Sequence, residues 1–274
     1  MSEKEDVNAV KMLVRAREDF QGMRKRMDNR IGRKANGEKQ KVQERVMRFD
    51  DLETFKAIAD NAKEQENFIQ KKLKKVLKRF NIYNEWLVDV KGIGEIASGW
   101  IIGEYDIHKA TTVSKLWQFT GLNPGMVRGI KRIKKEKYKE SNGEIIGEMF
   151  DDVFVRTNKM VRGDKLTEGF VAPFNKNLRR AMVGVMADGF IKQQNSYALE
   201  YYYPYKMRLE QEANTIVGED KKWCDVSKGI RDRAAKRYMV KMFLKDLYVI
   251  WRQLEGLPVR APYMEEYLGK KHAA

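Results

Sequence analysis

A Gly-Ile-Gly turn at residues 92–94 has the spacing of a phosphate-binding site. Apolar anchors precede the turn, and Ser98 and further apolar anchors follow it. This is the order of a helix-hairpin-helix, in which glycines permit the turn and amides at the start of the second helix face an anion. A purely structural turn is the alternative. The predicted DNA-phosphate contacts are Lys91, Gly92, Ile93 and Gly94.

The segment from Arg128 to Lys139 is a second candidate contact, because Glu136 is its only acidic residue. Lys and Arg displace the counterions condensed along a phosphate backbone, so this segment has affinity for polyanions without reading bases. Interleaved apolar residues and a following Asn-Gly pair favour a twisted β-hairpin near 126–146, and a solvated charge run is the alternative. The candidate contacts here are Arg128, Lys131, Arg132, Lys134 and Lys135.

Arg179 and Arg180 lie in the first turn of a helix that is predicted to begin near Asn175. Cations at that position oppose the helix dipole, which is easier to explain if they hold an anion. A tyrosine-rich segment follows at 197–205. Packing in the core is the favoured interpretation of these rings, and stacking on unpaired bases is the alternative.

The composition indicates the same class of ligand. The chain of 274 residues has 55 Lys and Arg against 39 Asp and Glu, a formal net charge of +16. Such an excess favours nucleic acid as a partner over an ordinary basic surface. A lone Cys224 with only His108 and His272 provides no soft ligand set for zinc, and no cofactor is predicted in this chain.

Helices are predicted to position these residues. A charged helix spans residues 5–30, and apolar residues from Leu52 to Phe80 follow steps of three and four. This heptad seam is typical of a coiled coil, and Glu66 is its only charged member. Pairing within the chain and pairing between chains are both open. A homo-oligomer formed through residues 52–80 is one expectation, and a long helix lying on its own domain is the alternative.

The predicted fold class is mainly α. We expect a helical arm and a coiled-coil helix over 1–80, then a helical DNA-binding domain over 81–274 that contains the helix-hairpin-helix, with the small β-hairpin near 126–146. Residues 229–255 form a last long helix whose apolar stripe belongs to the core. No eighteen consecutive apolar residues occur, so no membrane span or signal peptide is expected. The predicted location is the cytoplasm, in association with the nucleoid.

Four motifs occur in the order seen in insertion-sequence one-ten transposases. They are Val-Lys-Gly-Ile-Gly-Glu-Ile-Ala-Ser-Gly at 90–99, Gly-Glu-Tyr-Asp-Ile at 103–107, Leu-Trp-Gln-Phe-Thr-Gly-Leu-Asn-Pro at 116–124 and Asn-Leu-Arg-Arg-Ala-Met at 177–182. The chain resembles the C-terminal transposase part of this family, also called the one-sixteen and nine-oh-two family. The resemblance extends from about residue 10 to the end and is strongest over 88–124.

Members of that family are RNA-guided DNA recombinases with an N-terminal RuvC-like domain and a nucleophilic serine in the C-terminal domain. The resemblance therefore implies duplex DNA as ligand, a structured guide RNA as partner and Ser141 as the candidate catalytic nucleophile. The opening residues show no strand with an acidic metal ligand, so Mg²⁺ is expected only if a separate RuvC-like subunit supplies the carboxylates. The family's serine usually follows the Gly-Leu-x-Pro motif, where this chain has Arg128-Gly129.

Three functions follow as expectations. The leading one is a nucleic-acid-binding protein that holds DNA mainly through backbone phosphates, which carry no base identity. The second is an active transposase or recombinase that works with a separate RuvC-like subunit and a guide RNA and uses Ser141 for strand transfer. The third is a coiled-coil scaffolding protein organised by residues 52–80.

Overall fold

The computed structural model describes residues 3–32, 49–133, 153–216 and 221–261. The chain forms two compact units, Met1–Asp106 and Ile107–Ala274. The described residues are mainly helical, and their one sheet has two antiparallel strands. The predicted fold class, mainly α with a small β-hairpin, is confirmed. None of the helices described here combines the length and the apolar character needed to cross a membrane.

Unit 1 is built on two long helices that pack against each other. It contains α1 (Glu3–Arg30), α2 (Phe49–Leu77), a π-helical turn (Tyr83–Leu87) and α3 (Glu95–Glu104). Val10 and Val14 of α1 and Ile69 and Leu73 of α2 are buried, so the heptad seam of α2 lies in the core of this unit. Assembly of two chains through residues 52–80 stays a prediction, and in this structure it would require another helix to replace α1.

Glu66, the charged member of the seam, is 1% exposed and pairs with two arginines of α1. Arg24 Nε lies 2.6 Å from one carboxylate oxygen, and Arg17 Nη2 lies 3.3 Å from the other. A shift of α1 along α2 by one turn would leave this buried carboxylate without its partners. The three side chains therefore fix the register of the two helices, as a polar group at a core position of a coiled coil does.

Helix α3 packs against both long helices because it has glycine where they approach. A Cβ at Gly99 would lie 2.5 Å from Val14 Cγ2 and 3.2 Å from Leu73 Cδ2. Glu104, at the end of α3, pairs with Lys11 and Arg15 of α1 at 3.4 and 3.6 Å. These contacts place α3 in unit 1, which ends at Asp106. The domain boundary at 80/81 stays a prediction.

Unit 2 surrounds the last long helix. Its elements are α4 (Val113–Phe119), β1 (Met126–Ile133), β2 (Val153–Arg162), α5 (Lys176–Arg179), α6 (Ala187–Lys192), α7 (Tyr203–Gln211) and α8 (Lys228–Leu254), with π-helical turns at Arg180–Met186 and Ala198–Tyr202. Met239, Phe243 and Leu247 of α8 are fully buried, and Tyr197 packs edge-on against Phe243 with ring centroids 5.5 Å apart. This tyrosine thus belongs to the core rather than to an open stacking surface.

Candidate nucleic-acid interface

Strands β1 and β2 form a two-stranded antiparallel ribbon with cations and no acidic residue in either strand. The register pairs Arg128 with Met160 and Arg132 with Phe154, and it shifts at an irregularity between Arg128 and Ile130. The partner strand lies further along the chain than the hairpin expected near 126–146. The basic residues of the ribbon are Arg128, Lys131, Arg132, Arg156, Lys159 and Arg162.

The two faces of the ribbon differ in their surroundings. Residues directly opposite in an antiparallel pair share a face, and successive residues alternate between faces. Arg128, Arg132 and Arg156 therefore lie on one face and are exposed. Next to them are three exposed apolar side chains, Met126, Phe154 and Met160. We call this set of six residues the arginine face.

The opposite face is attached to the body of unit 2 through Phe170. The Nζ atoms of Lys131 and Lys159 lie 5.5 and 5.4 Å from the centre of the Phe170 ring. A Cβ at Gly129 would lie 2.5 Å from the ring carbon Cδ1 of Phe170. The Val171 amide donates a hydrogen bond to the Ile130 carbonyl at 2.7 Å. Phe170 thus fills a place that only glycine at position 129 leaves open, and it holds the ribbon so that the arginine face points away.

The base of the ribbon leads into a group of arginines around Asp164. Arg162, the last residue of β2, donates from Nε and Nη2 to the two Asp164 carboxylate oxygens at 2.9 and 3.0 Å. Arg179 Nη1 donates to the Asp164 backbone carbonyl, and the Arg179 guanidinium lies 4.7 Å from the Phe174 ring centre. Burial lowers the pKa of Arg179, and repulsion by Arg237 lowers it further.

Helix α8 contributes two more cations to this group. Arg233 and Arg237 are four residues apart, so they lie on one side of the helix. Burial lowers the pKa of Arg237; Asp164 attracts its charge, whereas Arg233 and Arg162 repel it. We call Arg162, Asp164, Arg179, Arg233 and Arg237 the Asp164 cluster. Three of its guanidinium groups, those of Arg162, Arg179 and Arg237, interact with the Asp164 carboxylate, and the fourth, that of Arg233, repels Arg237.

In the predicted phosphate turn of unit 1, Gly92 has a φ of +92°, a conformation that favours glycine, whereas Gly94 has an extended backbone with a φ of −103° that other residues also adopt. The Ile93 amide donates to the Val90 carbonyl at 3.0 Å. Gly94 precedes the first residue of α3, and Ile93 is buried. Lys91 is exposed.

A carboxylate of this chain already lies at the start of α3. Glu95 accepts hydrogen bonds from its own amide and from Gln70 Nε2 at 3.1 Å, and Lys74 Nζ lies 3.3 Å away. The hydrogen bond from its own amide is the main cause of the lowered pKa of Glu95. A DNA phosphate at this turn would have to share the helix N-terminus with a fixed negative charge. Binding through Gly92, Ile93 and Gly94 stays a prediction.

The predicted contacts therefore belong to two separate sets. Lys91 and the glycine turn lie in unit 1, whereas the remaining contacts that the structure describes lie in unit 2. Within unit 2, Arg179 joins the Asp164 cluster, and Arg180 is exposed at the start of the following π-helical turn. The other unit 2 contacts in the described residues are Arg128, Lys131 and Arg132, all on the ribbon. Ser141, Lys134 and Lys135 lie outside the described residues.

Sequence reasoning missed the cations of β2 and α8. Arg156 and Lys159 lie in a stretch without clear periodicity, because β2 exposes apolar side chains such as Phe154 as well as polar ones. Arg233 and Arg237 lie in a helix whose apolar stripe dominates the pattern. The available signals were the absence of acidic residues from β2 and the spacing of four between the two arginines.

Among the residues that the structure describes, no group of three or more His, Cys, Asp or Glu side chains is arranged to hold a metal ion. The arrangement that is present, a basic ribbon continued by an arginine cluster, can bind anions. Comparison of the chain with protein-family models, with curated proteins and with solved structures finds no match. The similarity to insertion-sequence one-ten transposases therefore stays a prediction that rests on the four motifs.

Proposed function

We propose that this protein binds duplex DNA through the arginine face of its ribbon and holds the phosphate backbone rather than reading bases. The observation that carries the proposal is a ribbon with cations and no acid in either strand, attached by its other face to Phe170. Backbone contacts of this kind give affinity and position without sequence information.

The shape of the ribbon favours a DNA duplex over an RNA duplex. The major groove of B-DNA admits a two-stranded ribbon, whereas that of A-form RNA is too narrow for side chains to read. The exposed apolar side chains Phe154 and Met160 lie opposite Arg132 and Arg128 and supply contacts that are not screened by salt. A DNA duplex is therefore expected to bind more tightly than an RNA duplex of the same length.

The experiment removes three charges from each of two surfaces. The ribbon variant is Arg128→Gln, Arg132→Gln and Arg156→Gln. The matched control is Lys71→Gln and Lys75→Gln on α2 with Lys78→Gln directly after it, and these three lysines are also exposed. Affinity for a duplex of about 25 base pairs is measured by fluorescence anisotropy across a salt titration. Mg²⁺ is present throughout, and the products are run on a denaturing gel.

The ribbon variant is expected to lose at least about tenfold in affinity at 100 mM sodium chloride. The slope of log affinity against log salt concentration is expected to become shallower by about 2.7, which is about 0.9 for each of the three contacts removed. The control is expected to change both quantities by less than half as much. Equal losses of affinity in the two variants would show that binding depends on net charge alone. An unchanged affinity of the ribbon variant would show that the arginine face does not contact DNA. Nicked or protein-linked DNA on the gel would add strand transfer, the activity that the resemblance implies, and would direct the next variant to Ser141.

A further inference from the structure

We propose that Phe154 stacks on an unpaired base, and that the preferred ligand of the ribbon is duplex DNA that contains such a base. The inference deepens the proposed function and rests on it, because the arginine face must hold the duplex before the ring can reach a base. It names the kind of duplex, a property that phosphate contacts alone do not determine.

Exposed apolar side chains and arginines are paired across the ribbon. Each of the three exposed apolar side chains of the arginine face lies directly opposite an arginine of the partner strand. The pairs are Met126 with Arg162, Met160 with Arg128 and Phe154 with Arg132. Single apolar residues on a surface are ordinary, but three of them on one basic face indicate a ligand with both charge and apolar surface. Nucleic acid has this combination, since its phosphates are charged and every base has a π-face.

Phe154 is the member of this group that can stack on a base. It is 59% exposed, and within the part of the chain that the structure describes its ring has no aromatic or cation–π contact. Two other phenylalanine rings of unit 2 have such contacts. Phe170 lies against Lys131 and Lys159, and Phe174 lies 4.7 Å from an arginine guanidinium. Those two rings contact cations of the protein, whereas the Phe154 ring is available to a ligand.

Two arginines lie beside this ring on the backbone of the ribbon. Arg132 is directly across from Phe154, and Arg156 is two residues further along β2 on the same face. These positions correspond to about 5 Å and about 7 Å between Cα atoms. A nucleotide whose base stacks on Phe154 therefore has its phosphate within reach of a long arginine side chain.

The balance of two effects selects the ligand. Stacking of one base on an aromatic side chain raises the affinity by about fivefold to about a hundredfold. In an intact duplex each base is already stacked on its neighbours, and removing it from the stack costs a similar free energy. A base that is already unpaired does not incur this cost. Phe154 is therefore expected to favour a duplex with an unpaired base, and to contribute only an apolar contact to an intact duplex.

The test measures the affinity of the full chain for three duplexes that differ at one position. The first duplex is fully paired, the second has one bulged thymine, and the third has an abasic residue in the same bulge. Both bulges are flexible, but only thymine has a ring that can stack. The variant is Phe154→Leu, which keeps an apolar side chain. The matched control is Met160→Ala, on the same face and likewise opposite an arginine.

The wild-type chain is expected to bind the thymine bulge about tenfold more tightly than either other duplex. Phe154→Leu is expected to reduce this preference to about twofold or less, because the stack is lost. Met160→Ala is expected to lower the affinity for all three duplexes by the same factor. When 5-iodouracil replaces the bulged thymine, irradiation is expected to cross-link it to the peptide that contains Phe154.

The outcomes separate this inference from the proposed function. An equal preference for both bulges would show that flexibility is recognised, and would overturn the inference, as would a thymine preference that Phe154→Leu leaves unchanged. If the ribbon variant loses affinity for the intact duplex and no bulge is preferred, the inference is refuted and the proposed function is retained. A thymine preference that depends on Phe154, in a chain whose duplex affinity does not depend on the three arginines, would retain the base contact and refute the proposed function.

Discussion

Adding one methyl group at Gly129 tests whether the ribbon depends on Phe170. In Gly129→Ala the new Cβ would lie 2.5 and 2.6 Å from two Phe170 ring carbons and 3.2 Å from the Lys159 carbonyl oxygen. Carbon atoms in contact normally stay about 3.5–4.0 Å apart. The Phe170 ring must therefore move by about 1 Å. Strand β1 cannot move away from the ring instead, because the Lys159 carbonyl of β2 already lies close to the new Cβ.

The expected cost follows from two effects. Overpacking of this kind typically costs about 1–3 kcal/mol. Displacement of the ring also weakens its contacts with Lys131 and Lys159, each worth about 0.5–1 kcal/mol at exposed sites. We expect a loss of about 2 kcal/mol that is concentrated in the ribbon, and a loss of DNA affinity of at most about thirtyfold, the equivalent of the same free energy.

Amide hydrogen exchange of the ribbon and DNA binding should be measured on the same samples. The double variant Gly129→Ala with Phe170→Leu provides the control, because the smaller side chain leaves room for the methyl group. In the Phe170→Leu background the alanine should cost at least about 1 kcal/mol less than in the wild type. Strictly additive effects would show that the ring does not anchor the ribbon, and the argument for a fixed arginine face would fail.

Two further predictions concern unit 1. Glu66→Gln leaves Arg17 and Arg24 without their carboxylate in the α1–α2 seam. Because both arginines keep some contact with solvent, we expect a loss of about 2–3 kcal/mol in urea unfolding, and a change below about 0.5 kcal/mol would contradict the register argument. The lowered pKa of Glu95 stabilises unit 1 above the unfolded carboxyl pKa of about 4.3, and this contribution is lost as the pH falls through the folded pKa. Glu95→Gln should therefore reduce, by about 0.5 kcal/mol, the loss in free energy of unfolding that occurs when the pH is lowered through the carboxyl range. The same loss in the variant and in the wild type would be inconsistent with this role.

The fold could be predicted where the information is local. The seam from Leu52 to Phe80 and the charged position at Glu66 follow from the spacing of residues along one helix. The end of unit 1 at Asp106 does not follow from residue spacing along a single helix. It depends on Gly99 and Gly103, whose missing side chains matter only because α1 and α2, distant in sequence, approach α3 at those points.

In the candidate site, too, the parts that depend on local sequence could be predicted and the parts that depend on distant residues could not. The basic residues of β1 were predictable because charge and interleaved apolar residues occur together in one short segment. The strand that pairs with it was not, since β2 exposes apolar side chains on both faces and shows no simple alternation. Arg237 was beyond sequence reasoning for another reason: the groups that influence its charge, among them Asp164 and Arg162, come from other elements.

A net charge of +16 does not by itself locate a binding surface, because a cation paired within the protein has little to offer a polyanion. In unit 1, several cations of α1 are paired with Glu66 or Glu104, which are themselves buried. The ribbon of unit 2 has no acidic residue in either strand, and its arginine face points away from Phe170. The exposed lysines of α2 are an intermediate case: their charge is high, they have no attached partner strand, and among the described residues Phe68 is an exposed aromatic neighbour. Equal charge removal from α2 and from the ribbon therefore separates two physical explanations, total charge and charge held in a fixed array.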